Sequence, residues 1–133
     1  MEIREYTGWN RDEILALYSS VGWTNYTDNP DRLERAYENS LVKIGAFDDG
    51  RLIGVIRAVG DGATILFIQD ILVYPEYQRR GIGTALMRVV MARYASVYQL
   101  ELLTDNTEKT VRFYQSLGLV KAEEIGCCAF IKM

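Results

Sequence analysis

Residues 73–86 of this chain read VYPEYQRRGIGTAL and join the end of an apolar strand to a helix that opens at Gly81. A helix N-terminus presents backbone N–H groups that have no acceptor within the helix, together with the positive end of the helix dipole. Gly81 and Gly83 carry no Cβ that would obstruct an approaching anion. The stretch therefore predicts a phosphate-binding turn, with Arg79 and Arg80 adding positive charge. Close packing of the helix on a sheet is the alternative reason for the two glycines.

The residues before this turn predict a run of strands. Over residues 63–74, apolar side chains occupy the positions of both faces of a strand, so this strand should be central in the sheet. Pro75 ends it. Residues 42–47 and 52–59 predict an antiparallel meander before it, with turns at residues 48–50 and 60–62. Helix starts and ends are indicated by capping residues and glycines, namely Asn10 or Asp12, Pro30, Gly81 and residues 104–107 for the starts, and Gly22 and Gly118 for two ends.

The remaining segments complete one compact domain. Strands are predicted at residues 2–6 and 100–103, and two last strands at residues 119–124 and 127–132. The length suits a single domain over residues 1–133. We therefore expect a mixed α/β domain whose central sheet is mixed but mostly antiparallel and is flanked by about four helices.

The composition excludes several classes of function. The chain has 15 basic and 18 acidic side chains and a formal charge of −3, so it has no broad basic surface for nucleic acid. Its apolar stretches fall short of the roughly 20 residues of a membrane span, and the first residues, MEIRE, lack a signal-peptide core. We expect a cytoplasmic protein with no membrane partner. Histidine is absent, which removes the commonest zinc ligand and the Ser-His-Asp arrangement, so we expect no metal.

Two other phosphate-binding motifs do not fit the turn. The residues from Gly81 begin a G-x-G-x-x-G pattern, but Leu86 stands where the third glycine or alanine belongs. The turn also lies past mid-chain, after an antiparallel meander rather than inside a parallel sheet. The Gly-Lys-Ser/Thr sequence of a P-loop is missing. A dinucleotide-binding fold and a nucleotide triphosphatase are therefore excluded.

Two linked motifs resemble the GNAT superfamily of N-acetyltransferases. QRRGIG, residues 78–83, follows that family's pattern Gln/Arg-x-x-Gly-x-Gly/Ala, and FYQSLGL, residues 113–119, is similar to its later helix and strand. The predicted order of elements agrees, so the resemblance covers nearly the whole chain. It implies a GNAT-like fold and an acetyl-CoA-dependent N-acetyltransferase, which moves an acetyl group to a primary amine by direct transfer in a ternary complex. A noncatalytic acyl-CoA-binding sensor and a partner-binding adaptor are the alternatives.

The resemblance also implies roles for particular residues. Main-chain groups of the central strand would pair with the pantetheine arm, the Leu72 N–H would bind the oxyanion, and Tyr114 would protonate the leaving thiolate. Core packing is the other reading of Tyr114. Many family members have an asparagine at the position of Thr107, whereas here Asn106 lies one residue earlier. The implied coenzyme A contacts are Ile71, Leu72, Val73, Gln78, Arg79, Arg80, Gly81, Ile82, Gly83, Thr84, Asn106 and Tyr114.

The amine side of the reaction is indicated by fewer residues. Trp23 and Tyr26 lie in a polar loop and are candidates for binding the acceptor, although both could also fold onto the core. Asp70 interrupts the central apolar strand and is a candidate general base, with Glu101 as the second candidate and a structural carboxylate as the other reading of Asp70. A base matters because an alkyl amine of pKa about 10.4 costs roughly 4.6 kcal/mol to hold neutral at pH 7. The resemblance also allows a homodimer through the last strands, although no residue demands one.

Overall fold

Five strands form one mixed sheet in the order β1-β2-β3-β4-β5. The computed structural model describes residues 1–133. Neighbouring strands are antiparallel except β4 and β5, which are parallel. The predicted mixed α/β class with a mostly antiparallel sheet is confirmed. The strands are β1 (Glu2–Glu5), β2 (Val42–Asp48), β3 (Arg51–Gly60), β4 (Ile65–Val73) and β5 (Gln99–Leu102).

Five α-helices accompany the sheet, and their ends follow the capping signals in the sequence. Asn10 caps the first helix by accepting a hydrogen bond from the Glu13 N–H at 3.1 Å, and Gly22 follows its end with φ +76°. None of the helices is both long and apolar enough to cross a bilayer. The helices are α1 (Arg11–Ser20), α2 (Thr24–Thr27), α3 (Pro30–Glu38), α4 (Ile82–Arg93) and α5 (Glu108–Ser116), with short 3₁₀ turns at Pro75–Tyr77 and Ala122–Ile125.

Residues 1–103 and residues 104–133 form two compact units. The first unit contains the whole sheet and helices α1 to α4, and the second contains α5 and the last 3₁₀ turn. The expectation of a single N-acetyltransferase domain over residues 1–133 stays a prediction.

Helices cover both faces of the sheet in the first unit. Val55 of β3 packs in a cluster with buried side chains of α1 and α3, among them Leu17 and Tyr37. The neighbouring Gly54 faces the other way, where a Cβ would lie 3.6 Å from the side chain of Ile82 in α4. Since successive strand residues point to opposite faces, α1 and α3 lie on one side of the sheet and α4 lies on the other.

The two hairpin turns of the meander form where the sequence predicts them. Asp49 and Gly50 both have positive φ, 51° and 82°, which is the backbone of a two-residue hairpin turn whose twist suits the strands on either side. The second turn is organised by Asp61, whose Oδ1 accepts the N–H groups of Ala63, Thr64 and Ile65 at 2.8, 2.7 and 3.1 Å. The antiparallel meander of β2, β3 and β4 is therefore fixed by local interactions.

Strand β4 carries one extra residue and changes its neighbours there. Arg57 of β3 pairs with Asp70 and Ala58 pairs with Ile68, so Gln69 has no partner on β3 and forms a β-bulge. The pairing of β4 with β5 ends at the same point, at Ile68 opposite Leu102. Beyond Ile68, β4 pairs with β3 along one edge, and no strand pairs with its other edge.

The two last predicted strands are wrong. Residues 119–124 and 127–132 form no strand, and a 3₁₀ turn at Ala122–Ile125 is the only regular structure there. A strand requires a neighbour that accepts and donates its backbone hydrogen bonds, and these two segments form no such ladder with each other. Alternating apolar residues indicate that a segment suits a strand, but they do not indicate that an edge is available for it.

The buried tyrosines predict that the protein loses stability in alkali. Burial raises the pKa of Tyr6 to about 12 and raises the pKa values of Tyr18 and Tyr37 above their usual value. Above pH 10 the unfolded chain loses these phenolic protons first, so the free energy of unfolding should be level up to about pH 9 and fall from about pH 10 upward.

Urea unfolding at intervals from pH 8 to pH 11 measures this dependence. Tyr37→Phe should flatten the alkaline fall, whereas Tyr98→Phe, at a side chain that is 80% exposed, should leave it unchanged. A free energy of unfolding that stays level to pH 11 in the unmodified protein would contradict the prediction.

Candidate active site

The turn between β4 and α4 is held in place by contacts of its own side chains. Gln78 Nε2 donates to the Val73 carbonyl at 3.0 Å, and the Tyr77 hydroxyl donates to Asp48 Oδ2 at 2.8 Å. The Gln78 N–H donates to the Pro75 carbonyl at 3.2 Å, so this amide is not free for a ligand. The predicted role of Gln78 as a main-chain phosphate donor does not fit, and its side chain instead braces the turn.

The six amides after Gln78 have no acceptor in the protein. Helices α1, α3 and α5 each carry a side-chain cap at the N-terminus, whereas α4 has none because its N-cap is Gly81. Gly81 has φ +80°, and a Cβ there would meet no atom within 4 Å. Free amides at the positive end of a helix form an anion-binding site. They belong to Arg79, Arg80, Gly81, Ile82, Gly83 and Thr84.

The backbone of the turn is strained at Arg79. Its φ is +65°, a conformation that costs a residue with a side chain roughly 1–2 kcal/mol. Strain of this kind clusters at ligand-binding sites, where the surrounding structure maintains it. The Arg79 and Arg80 side chains are exposed, and the Arg80 guanidinium lies 5.1 Å from the centre of the Tyr77 ring. Both cations are therefore available beside the free amides.

The unpaired edge of β4 presents the main chain of Ile71 and Val73. The Tyr74 N–H donates to the Ile53 carbonyl of β3 at 2.9 Å, and the Leu72 carbonyl also faces β3, only 3.1 Å from where a Gly54 Cβ would lie. Backbone groups alternate between the two edges of a strand, so the Leu72 N–H points at β3. The prediction that this N–H binds an oxyanion does not fit the register, and Ile71 presents its N–H to the open edge instead.

Asp70 lies at the centre of a buried polar network. Arg57 forms an ion pair with its Oδ2, with Nη2 at 2.7 Å and Nε at 2.8 Å, and the Tyr18 hydroxyl donates to the same oxygen at 2.9 Å. The Tyr26 hydroxyl donates to Oδ1 at 2.7 Å. Asp70 is 2% exposed. A carboxylate with this set of donors fits the structural reading that the sequence left open, and Glu101, the second candidate base, lies exposed on β5 opposite Phe67.

Tyr26 connects this buried network to the surface. Its side chain is half-buried, and its hydroxyl accepts a hydrogen bond from Nε2 of the exposed Gln69 at 3.2 Å. Trp23 packs beside it, with ring centres 6.1 Å apart, and also against the buried Tyr18 ring at 5.9 Å. The two loop aromatics thus pack on the core, and the Tyr26 oxygen lies at the surface beside Gln69 of β4.

In the second unit, Tyr114 lies on α5 beside Phe113. Burial raises the pKa of the Tyr114 hydroxyl above its ordinary value, and the nearby negative charge of Asp105 acts in the same direction. Thr107 caps α5 by accepting the Thr110 N–H at 3.3 Å, so its side chain is committed to the helix. Asn106 is exposed.

The sequence of this chain matches a known family over most of its length. The model of the Acetyltransferase (GNAT) family matches residues 9–119. The chain belongs to the GNAT acetyltransferase family. The five-stranded mixed sheet, with a free-amide turn between its fourth strand and the following helix, is thus the framework of a GNAT acetyltransferase.

Individual GNAT relatives agree in fold and in sequence. An uncharacterized N-acetyltransferase ycf52-like protein of Prochlorococcus marinus is 32% identical over 124 residues, 89% of this chain and 67% of that protein. A solved GNAT family acetyltransferase of Streptococcus pneumoniae is 39% identical with a TM-score of 0.90, covering 99% of this chain and 96% of that one. A solved aminoglycoside 6'-N-acetyltransferase, complexed with coenzyme A, shares the fold at 20% identity and a TM-score of 0.66, covering 89% of this chain and 74% of that one.

The curated relatives are longer than this chain. The chain spans about two thirds of the length of those it matches, 67% of one and 62% of another. What the whole protein acetylates is therefore a matter for proposal.

Sequence reasoning missed the partners of Asp70 and the role of Gln69. The signal for Arg57 was present, because a single charge interrupts an apolar run in each of two neighbouring strands, LIGVIRAV at residues 52–59 and ILFIQDILV at residues 65–73. Two such charges of opposite sign are expected to pair when both are buried. Gln69 left no comparable signal, because a bulge of one residue does not disturb the composition of a strand.

The buried ion pair predicts that Asp70→Asn is strongly destabilising. The variant leaves the Arg57 guanidinium, whose side chain is 5% exposed, without a counter-charge, and the expected loss is about 3–5 kcal/mol in the free energy of unfolding. Urea unfolding at pH 7 measures it. Glu5→Gln is the matched control, because it removes the same charge from the exposed pair with Arg93 and should cost less than about 1 kcal/mol. Equal losses in the two variants would contradict the prediction.

Proposed function

We propose that this protein is an acetyl-CoA-dependent N-acetyltransferase that moves an acetyl group onto a primary amine by direct transfer in a ternary complex. The observation that carries the proposal is the run of unbonded amides at residues 79–84, directly after the unpaired edge of β4. An extended chain with a diphosphate at one end is complementary to an open strand edge followed by an anion-binding turn. Membership of the GNAT family supports this reading.

Acetyl-CoA would be held almost entirely by main-chain groups. The pantetheine arm would lie along β4 as an added strand, exchanging hydrogen bonds with Ile71 and Val73, whose backbone groups face the open edge. The diphosphate would accept the free amides of the turn, with Arg79 and Arg80 adding charge. Gly81 and Gly83 allow the phosphates to come close to the backbone. The residues present fit coenzyme A, and no step requires a metal.

The chemistry would be the attack of a neutral amine on the thioester carbon. The N–C bond forms, the carbonyl oxygen takes up negative charge and accepts the Ile71 N–H, and the C–S bond then breaks. Tyr114 is assigned as the general acid that protonates the departing thiolate. Its raised pKa supports this role, because the hydroxyl remains protonated and able to donate throughout the neutral range.

The proton that leaves the amine would be taken up by water rather than by Asp70. An amine of pKa near 8, such as an α-amine, costs only about 1 kcal/mol to hold neutral at pH 7, whereas an alkyl amine costs roughly 4.6 kcal/mol. The carboxylate of Asp70 is enclosed by its donors and paired with Arg57. Its contribution would be structural, through the side chains that it holds in place.

The binding step predicts a strong dependence on the diphosphate. Charge-assisted hydrogen bonds contribute roughly 1.5–3 kcal/mol each, so coenzyme A should bind at least about 10-fold more tightly than pantetheine, which lacks the diphosphate. Calorimetry with the purified protein measures both affinities. Raising the salt concentration should weaken the binding of coenzyme A and leave the binding of pantetheine nearly unchanged. Equal affinities for the two compounds would remove the basis of the proposal.

The catalytic step predicts a selective loss in Tyr114→Phe. Loss of a general acid typically costs roughly 10²- to 10⁴-fold in rate, so kcat should fall in this range while the affinity for coenzyme A stays unchanged. The assay is the release of free thiol from acetyl-CoA in the presence of a panel of primary amines. Tyr98→Phe removes the same hydroxyl from an exposed side chain and is the matched control. Coenzyme A binding without thiol release for any amine would instead indicate a noncatalytic acyl-CoA-binding protein.

A further inference from the structure

The polar atom that the protein presents beside the open edge of β4 is the hydroxyl oxygen of Tyr26. A hydroxyl has one hydrogen, and the Tyr26 hydroxyl donates it to Asp70 Oδ1 at 2.7 Å. The carboxylate of Asp70 acts only as an acceptor here, because its other oxygen is paired with Arg57 and accepts from Tyr18. Towards a ligand, Tyr26 can therefore act only as a hydrogen-bond acceptor.

Several features keep Tyr26 in this orientation. Burial, with the neighbouring Asp70 charge adding to it, raises the pKa of Tyr26, so the hydroxyl keeps its proton at neutral pH and continues to donate it to Asp70. Gln69 Nε2 donates to the same hydroxyl oxygen at 3.2 Å, which uses one of its two lone pairs. The second lone pair has no partner, and neither has the Oε1 atom of Gln69. Two free acceptors thus meet at this point, next to the second N–H of Gln69 Nε2.

The β-bulge explains why these groups meet beside the proposed site of the thioester. The extra residue lets both Gln69 and Asp70 contact Tyr26, although they are neighbours in one strand. Ile71, whose N–H faces the open edge, follows Asp70 directly. Two residues of strand span roughly 7 Å, so Gln69 and the Ile71 amide are separated by about the distance that an attacking nitrogen and a thioester carbonyl would fill.

We propose that Tyr26 and Gln69 bind the nitrogen of the acceptor amine through its N–H hydrogens, with Asp70 acting as the positioning residue that turns the Tyr26 hydroxyl into an obligate acceptor. The inference rests on the proposed function and adds to it the residues that bind the acceptor nitrogen. Primary amines and ammonium ions carry two or three N–H donors and match the two acceptors. A quaternary ammonium group of the same charge carries no N–H and does not match them.

The first test compares variants with one amine that the wild-type protein acetylates, chosen from butylamine, putrescine, 2-phenylethylamine and glycinamide. Tyr26→Phe keeps the ring and removes the acceptor, so kcat/KM for the amine should fall roughly 10- to 100-fold, mainly through KM, with the affinity for coenzyme A unchanged. Tyr6→Phe is the matched control, because it removes a hydroxyl that donates to a different carboxylate, Glu13 Oε2 at 3.0 Å, and should leave KM for the amine within about threefold. Equal rises of KM in both variants would overturn the inference.

The second test uses the wild-type protein alone and does not depend on how a variant folds. The trimethylammonium analogue of the chosen amine keeps the charge and lacks the N–H donors. As a competitive inhibitor it should bind at least about 10-fold more weakly than the amine. Binding as tight as that of the amine would indicate a site that reads only charge or aromatic contact, and would overturn the inference while leaving the acetyltransferase proposal intact. Failure of the wild type to acetylate any of the four amines would overturn both.

Discussion

The architecture of the candidate site depends on one extra residue in β4, held in place by a buried ion pair. Gln69 has no partner on β3, and the next residue, Asp70, is fixed opposite Arg57 by a hydrogen bond from Nε and an ionic contact with Nη2. A bulge bends a strand and ends its regular pairing, and here the ladder to β5 stops one residue earlier, at Ile68. The open edge of β4, the position of Asp70 and the exposure of Gln69 all follow from this feature.

The features that the sequence predicted well are those determined by a few neighbouring residues. The turn at Asp49 and Gly50, the Asn10 cap and the glycines after α1 and α5 each act over four residues or fewer, so their signals stand in the local sequence. The last two predicted strands failed because a strand needs a pairing edge elsewhere in the fold. Residues 119–132 alone do not show whether such an edge exists, and only their alternating apolar residues suggested strands.

In the candidate site too, local features could be predicted from the sequence and features that depend on strand pairing could not. The free amides of the turn could be predicted because a glycine at a helix start supplies no side-chain cap, and the amides at residues 79–84 have no acceptor in the protein. The assignment of the oxyanion donor to the Leu72 N–H does not fit the register, because it depends on which edge of β4 each N–H faces. A bulge of one residue reverses the edge that the N–H of every later residue of the strand faces. The residue types at Gln69 and its neighbours do not indicate a bulge.

In the proposed reaction, the acetyl donor and the amine acceptor would therefore be bound by different kinds of groups of this chain. Acetyl-CoA would be held by main-chain groups of β4 and the following turn, so many side-chain substitutions there would leave its binding intact, provided that Gly81 keeps its positive φ. The amine would be bound by the side chains of Tyr26 and Gln69, with Asp70 orienting the Tyr26 hydroxyl. Substitution of Tyr26 or Gln69 would change which hydrogen-bonding groups meet the acceptor and leave the main-chain contacts to the donor in place. In the proposed reaction, acceptor specificity would thus vary independently of donor binding, because the acceptor meets side chains of α2 and β4 whereas the donor meets main-chain groups of β4 and the turn after it.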